Sequence, residues 1–67
     1  MNAIFKIGQL VIATADSQGM IKGQTYTVRS VMAEQTFFGT VYAEYGIESE
    51  AGELFQIRNG HLLLDRI

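Results

Sequence analysis

No disulfide or zinc site can stabilise this chain, because it contains no cysteine and only one histidine. With 67 residues, it is short enough that folding buries only roughly 60% of the surface exposed by the unfolded chain. The sequence is 48% hydrophobic, which suffices for a compact core and is too much for a disordered chain. We therefore expect a single domain, residues 1–67, that depends on its hydrophobic core alone.

The hydrophobic pattern predicts β-strands along most of the chain. Short apolar and β-branched segments alternate with groups of turn-forming residues, and no segment shows a helical stripe of useful length. The five predicted strands are Gln9–Ala15, Thr25–Met32, Val41–Glu48, Glu53–Arg58 and His61–Ile67.

Three local details refine this prediction. Val41–Glu48 alternates most regularly, with Ala43, Tyr45 and Ile47 among its inward-facing residues. The alternation in the second strand breaks after Arg29, which predicts a β-bulge near Arg29-Ser30. A glycine within the third strand, Gly46, predicts a close approach by another part of the chain.

So few strands bury one face only by curling around a core, and closure of the sheet also removes its free edges. We therefore predict an all-β fold, a five-stranded SH3-like small barrel. An OB-like barrel is the alternative. It commonly has a helix between its third and fourth strands, and the short Glu48–Glu53 connection, predicted as a hairpin turn, leaves no room for one.

The segment Lys22-Gly23-Gln24-Thr25-Tyr26-Thr27-Val28 follows an opening strand and a polar loop. In this it resembles small uncharacterised SH3-like barrel proteins of bacteriophage, prophage and bacterial origin. The resemblance extends over residues 8–64 and implies the same fold and a phage or prophage origin. It carries no functional residues, because none are established for that group.

Catalysis is not indicated by any motif. His61 is the one side chain that titrates near neutral pH, but no motif connects it with Ser30, Ser49 or Asp65 as a catalytic group. Its position after Asn59-Gly60 predicts a turn residue bonded to the backbone. We expect no enzyme activity, no cofactor and no metal site. No apolar run is long enough to span a membrane, and no signal sequence is evident, so we expect a cytoplasmic protein.

Charge is distributed unevenly along the chain. Residues 1–33 carry three basic and one acidic residue, whereas residues 34–67 carry two basic and six acidic residues. Glu44 and Glu48 project from the same face of the third strand, and we predict that they form an acidic rim for a basic protein partner. Nucleic-acid binding through Lys6, Lys22 and Arg29 is the alternative, although a net charge of −2 gives weak attraction for phosphates.

Two adjacent aromatic residues, Phe37 and Phe38, follow Thr36 and precede Gly39. We predict a loop here, in which one ring is buried and the other is exposed, because both cannot face the core of an extended segment. An exposed aromatic ring is a typical anchor of a protein interface. With Tyr42 nearby, this region is the predicted surface for a protein partner or for a homodimer.

Overall fold

The computed structural model describes residues 5–67, and for residues 34, 36, 37 and 40–42 it describes the backbone. Five antiparallel strands form one sheet, in the order β4-β3-β2-β1-β5. The elements along the chain are β1 (Leu10–Ala13), β2 (Thr25–Phe37), β3 (Thr40–Ser49), β4 (Leu54–Ile57), the helical turn α1 (Gly60–Leu63) and β5 (Leu64–Arg66). The predicted all-β class with five antiparallel strands is confirmed.

The last strand lies beside the first, with Ile12 paired with Asp65. Within residues 5–67, the two outer strands β4 and β5 do not pair with each other, so the sheet is not closed. Full closure into a barrel stays a prediction. A short turn connects β3 to β4, and an OB-like fold would commonly have a helix there.

The core lies on one face of the sheet and follows the predicted alternation. In β3, Ala43, Tyr45 and Ile47 are buried, whereas the Val41 side chain lies outside the described part of the structure. Each of the five strands contributes to the core, and Leu63 of α1 packs against it while partly buried. The buried core consists of Phe5, Val11, Ala13, Met20, Tyr26, Val28, Ala43, Tyr45, Ile47, Ile57 and Leu64.

Tyr45 occupies the centre of this core and has no exposed surface. The Phe5 ring meets it edge-on, with 5.6 Å between ring centroids, and the Phe5 N–H donates a hydrogen bond of 3.1 Å to the Tyr45 hydroxyl. On another side Gly60 lies so close that a Cβ atom there would overlap the tyrosine ring. One side chain therefore joins the start of the described chain, the sheet and α1.

Two β-bulges bend β2. The pairing of β2 with β3 shifts between Val28 and Ser30, which confirms the predicted bulge, and shifts again between Val31 and Ala33. Each bulge places one extra residue in β2 and increases the local twist. Because of the second bulge, Val31 pairs with Tyr45 but Ala33, two residues later, pairs with Glu44.

The predicted loop at Thr36–Gly39 is wrong. β2 continues to Phe37, and the turn consists of Phe38 and Gly39 alone. β1 pairs with the beginning of β2 and β4 pairs with the end of β3. Residues 33–44 therefore form a two-stranded ribbon, here called the hairpin arm, with no third strand among the described residues. The molecule measures 36 × 20 × 20 Å, as expected for a compact body with a projecting arm.

Gln18, in the long loop between β1 and β2, bonds to Arg58, the residue that follows β4. The side-chain amide of Gln18 donates to the Arg58 carbonyl at 2.9 Å, and its oxygen accepts from the Arg58 N–H at 2.7 Å. These two bonds resemble one step of a β-ladder and attach the loop to the end of β4.

The C-terminal strand is shorter than the predicted His61–Ile67. Asn59 adopts a positive φ of 58° and begins the turn α1, which includes His61, and β5 starts only at Leu64. Asn59-Gly60 is thus a turn, as predicted. No helix among the described residues has the length and apolar character needed to cross a membrane.

Replacing Gly60 with alanine should destabilise the protein, although alanine is the better helix former. Because the added methyl group overlaps the buried Tyr45 ring, we expect the free energy of unfolding to fall by about 1–3 kcal/mol. Helix propensity alone would raise it by about 1 kcal/mol. The control Leu62→Ala, at an exposed position of the same turn, should change it by less than about 0.5 kcal/mol. Urea denaturation measures both, and a stability of G60A at or above that of the wild type would contradict this packing.

The two Gln18 hydrogen bonds can be separated by substitution. Gln18→Leu removes both, and we expect it to lower the free energy of unfolding by about 1–2 kcal/mol and to accelerate hydrogen exchange of the Arg58 amide. Gln18→Glu keeps an oxygen that can accept this N–H, but its second oxygen faces the Arg58 carbonyl without a proton, so the protection should lie between those of the wild type and Q18L. The Met20 amide, which donates to the Ser17 carbonyl, is the internal control. Equal exchange rates at Arg58 in all three proteins would show that this pair of hydrogen bonds, here called the Gln18 latch, does not form.

Candidate interaction surface

The tip of the hairpin arm presents Phe38 to solvent, with 96% of the residue exposed. Phe38 and Gly39 both have positive φ, 50° and 77°, which is the backbone of a two-residue type I′ turn. This conformation favours asparagine or glycine at the first position, and a bulky side chain there costs about 1–2 kcal/mol. The arm thus holds an aromatic ring in water at a position where the backbone disfavours it.

The other two predicted aromatic contacts, Phe37 and Tyr42, have side chains outside the described part of the structure. Their backbone belongs to the arm, where Phe37 pairs with Thr40 and Tyr42 pairs with Gln35. The sequence predicted that one of the two adjacent phenylalanine rings is exposed, and Phe38 is exposed.

The two glutamates of the predicted acidic rim lie in β3, but they differ in their surroundings. Glu48 forms an ion pair with Arg29, with 3.2 Å between Oε1 and Nε. Glu44 is half-buried at the base of the arm, and no ion pair joins it to another described residue. Arg29 therefore offsets part of the charge of the rim, and Glu44 is the carboxylate more available to a base on a partner.

A groove lies between these glutamates, on the outer face of the sheet, and the sequence analysis did not identify it. Gly46 forms its floor, and the side chain of Ser30 approaches so closely that a Cβ atom at residue 46 would overlap its Oγ atom. The groove, here called the Gly46 groove, has a volume of about 400 Å³. Its lining includes Arg29, Ser30, Met32, Gly46, Leu54 and Gln56.

Two signals in the sequence could have located this groove. Gly46 interrupts the outer face of a regular strand, and the predicted close approach there is the Ser30 side chain. Leu54 is an apolar residue on the outward face of its strand and is 72% exposed. Met32 could not be assigned to the groove from sequence, because its position depends on the second bulge.

His61 contacts the backbone, as predicted for a turn residue. Its Nδ1 atom accepts a hydrogen bond of 3.3 Å from the Ala43 N–H, at the edge of β3 next to the arm. Among the described residues, no three acidic or histidine side chains are grouped as metal ligands. Of the bases proposed for nucleic-acid binding, Lys6 and Lys22 are exposed, whereas Arg29 is in the ion pair with Glu48.

The Arg29–Glu48 ion pair should contribute little to stability, because both side chains are partly exposed, at 58% and 32%. We expect Glu48→Gln to lower the free energy of unfolding by less than about 1 kcal/mol, and this difference should disappear in about 1 M salt. Glu53→Gln, at an exposed position, is the control and should have no such salt-dependent cost. Urea titrations at low and high salt measure both, and a large, salt-independent loss for E48Q would contradict a surface pair.

Comparison with known proteins identifies no relative of this chain. No protein-family model matches it, and neither a curated protein nor a solved structure shows significant similarity to it. The hairpin arm and the Gly46 groove are therefore interpreted from their own geometry.

Proposed function

We propose that the protein is a small non-enzymatic interaction module of the cytoplasm, which binds a protein partner through its hairpin arm. Phe38 is the anchor of this contact, and Glu44 and Glu48 form an acidic rim at the base of the arm. The main support for this proposal is that the Phe38 ring is exposed although the backbone of this residue has a left-handed conformation. The phage or prophage origin implied by the resemblance stays a prediction.

The exposure and the backbone of Phe38 support a role in binding rather than in folding. A ring that is 96% exposed gives the fold little hydrophobic stabilisation. Unfavourable backbone conformations occur preferentially at functional sites, where the rest of the structure compensates for their cost. An aromatic ring at the end of a projecting arm can enter a pocket on another protein, where aromatic residues are frequent hot spots.

The charges near the arm support a partner that carries a base. The stretch from Glu34 to Glu53 contains five acidic and no basic residues. Glu44 is half-buried without an ion pair among the described residues, and partial burial strengthens its attraction for a cation on a partner. Nucleic-acid binding stays the alternative prediction. It is less favourable because Arg29 already pairs with Glu48.

Phe38→Asn tests the anchor while improving the turn. Asparagine adopts positive φ more readily than phenylalanine, so we expect the free energy of unfolding of dilute protein to rise by about 0.5–1 kcal/mol. The same substitution should weaken partner binding at least about tenfold. Leu62→Asn, at an exposed apolar residue outside the arm, is the matched control and should leave binding unchanged.

The partner can be identified with a photoreactive benzophenone amino acid at position 38, which keeps an aromatic ring there. Irradiation in cells that produce the protein should yield specific protein adducts, and calorimetry with the purified partner then measures its affinity for the wild type, F38N and L62N. The same amino acid at position 62 is the control. If position 38 gives no more adducts than position 62, the arm is not an interaction surface.

A further inference from the structure

The Gly46 groove exposes apolar side chains that nothing in the described chain covers. Met32 and Leu54 are 48% and 72% exposed, and they flank a floor from which no β3 side chain rises, because residue 46 is glycine. The Ser30 side chain fills the space directly above Gly46, so the open part of the groove lies between Met32 and Leu54. The groove volume of about 400 Å³ accommodates an aromatic side chain, which buries about 150–250 Å² on entering such a site.

We propose that the Gly46 groove binds Phe38 of a second copy of this chain, in a twofold symmetric dimer of crossed hairpin arms. This inference rests on the proposed role of Phe38 as an anchor and names its partner. Twofold symmetry places the same patch on both subunits, so each copy supplies one ring and one groove. Both rings are then covered, and the assembly closes at two subunits.

The length of the arm excludes contact of Phe38 with the groove of its own chain. Eight residues separate Phe38 from Gly46 in a continuous hairpin, a distance of about 26 Å at about 3.3 Å per residue. When the arms of two copies pack side by side in opposite directions, the tip of each arm lies next to the groove of the other copy. The twofold axis then passes near the middle of the arm.

The charge at the tip of the arm is compatible with a second copy of the same arm. Residues 35–43 contain no acidic or basic residue, although they lie within the acidic half of the chain. Two such segments can pack together with little electrostatic repulsion. At the rim of the groove, Glu48 holds the Arg29 guanidinium, and this cation can contact the face of an incoming aromatic ring.

The available area is adequate for a dimer of moderate affinity. The arm comprises five residue pairs, from Ala33 and Glu44 to Phe37 and Thr40, and a two-residue turn. A ribbon of this length extends about 18 Å. Together, the arm and the groove can bury on the order of 600 Å² per copy. Two copies then bury about 1,200 Å² in total, which is the lower limit for a specific interface. The exposed ring of Phe38 and the walls of the groove supply the central apolar contact.

Light scattering and sedimentation of the purified protein test the dimer. We expect a concentration-dependent dimer for the wild type, and at least an approximately tenfold higher dissociation constant for Phe38→Asn and for Leu54→Lys. Leu54 lies opposite Glu48 across the sheet, so lysine is compatible with the fold there. Leu62→Lys, at a similarly exposed residue, should dimerise as the wild type does. Circular dichroism verifies that all variants are folded.

The benzophenone at position 38 locates the contact in the purified protein. Covalent dimers should carry the adduct at Met32, Leu54 or Gln56, as mass spectrometry would show. A wild type that is monomeric at its highest soluble concentration, or adducts that join the two arm tips, would overturn the dimer. If position 38 instead forms adducts with other proteins in cells, the proposed function stands without it. If it forms none anywhere, both proposals fail.

Discussion

The packing around Tyr45 is the interaction on which the rest of the structure depends. Its ring contacts the Phe5 ring, its hydroxyl accepts the Phe5 N–H, and Gly60 lies against its other side. Without disulfides, a chain of this length has to connect its segments through its core. A single tyrosine achieves this, because its ring is large enough to touch three segments and its one polar atom is satisfied by a backbone donor.

The hairpin arm follows from where this core ends. Tyr45 pairs with Ile57 of β4 and with Val31 of β2, and of the β3 residues with strand neighbours on both sides it is the one nearest the arm. Beyond it, β2 and β3 continue as a pair alone. Isolated two-stranded ribbons are marginally stable in water, so the arm depends on the body for its direction. His61, which accepts the Ala43 N–H, stabilises the edge where the arm begins.

Sequence patterns predicted the part of the fold in which strands face the core. Ala43, Tyr45 and Ile47 were assigned to the core by alternation, and the bulge after Val28 by its interruption. The end of β2 was missed because two adjacent aromatic residues were taken to indicate a loop, whereas the backbone of β2 pairs with β3 as far as Phe37. The Gln18 latch could not be predicted either, since it joins residues 40 positions apart through a side chain without a distinctive local pattern.

At the candidate surface, Phe38 is exposed, as expected for one of the two adjacent rings, whereas the number of acidic residues does not by itself describe the surface. Counting charges over Glu34–Glu53 treats these residues as one surface, whereas the fold separates them. Glu48 is partly neutralised by Arg29, and the arm from residue 35 to residue 43 is uncharged. The register between β2 and β3 is needed to see that the uncharged tip at Phe38 and the groove at Gly46 lie at opposite ends of the paired strands. The proposed dimer of crossed arms uses both ends of this ribbon, and their spacing is not contained in a list of its residues.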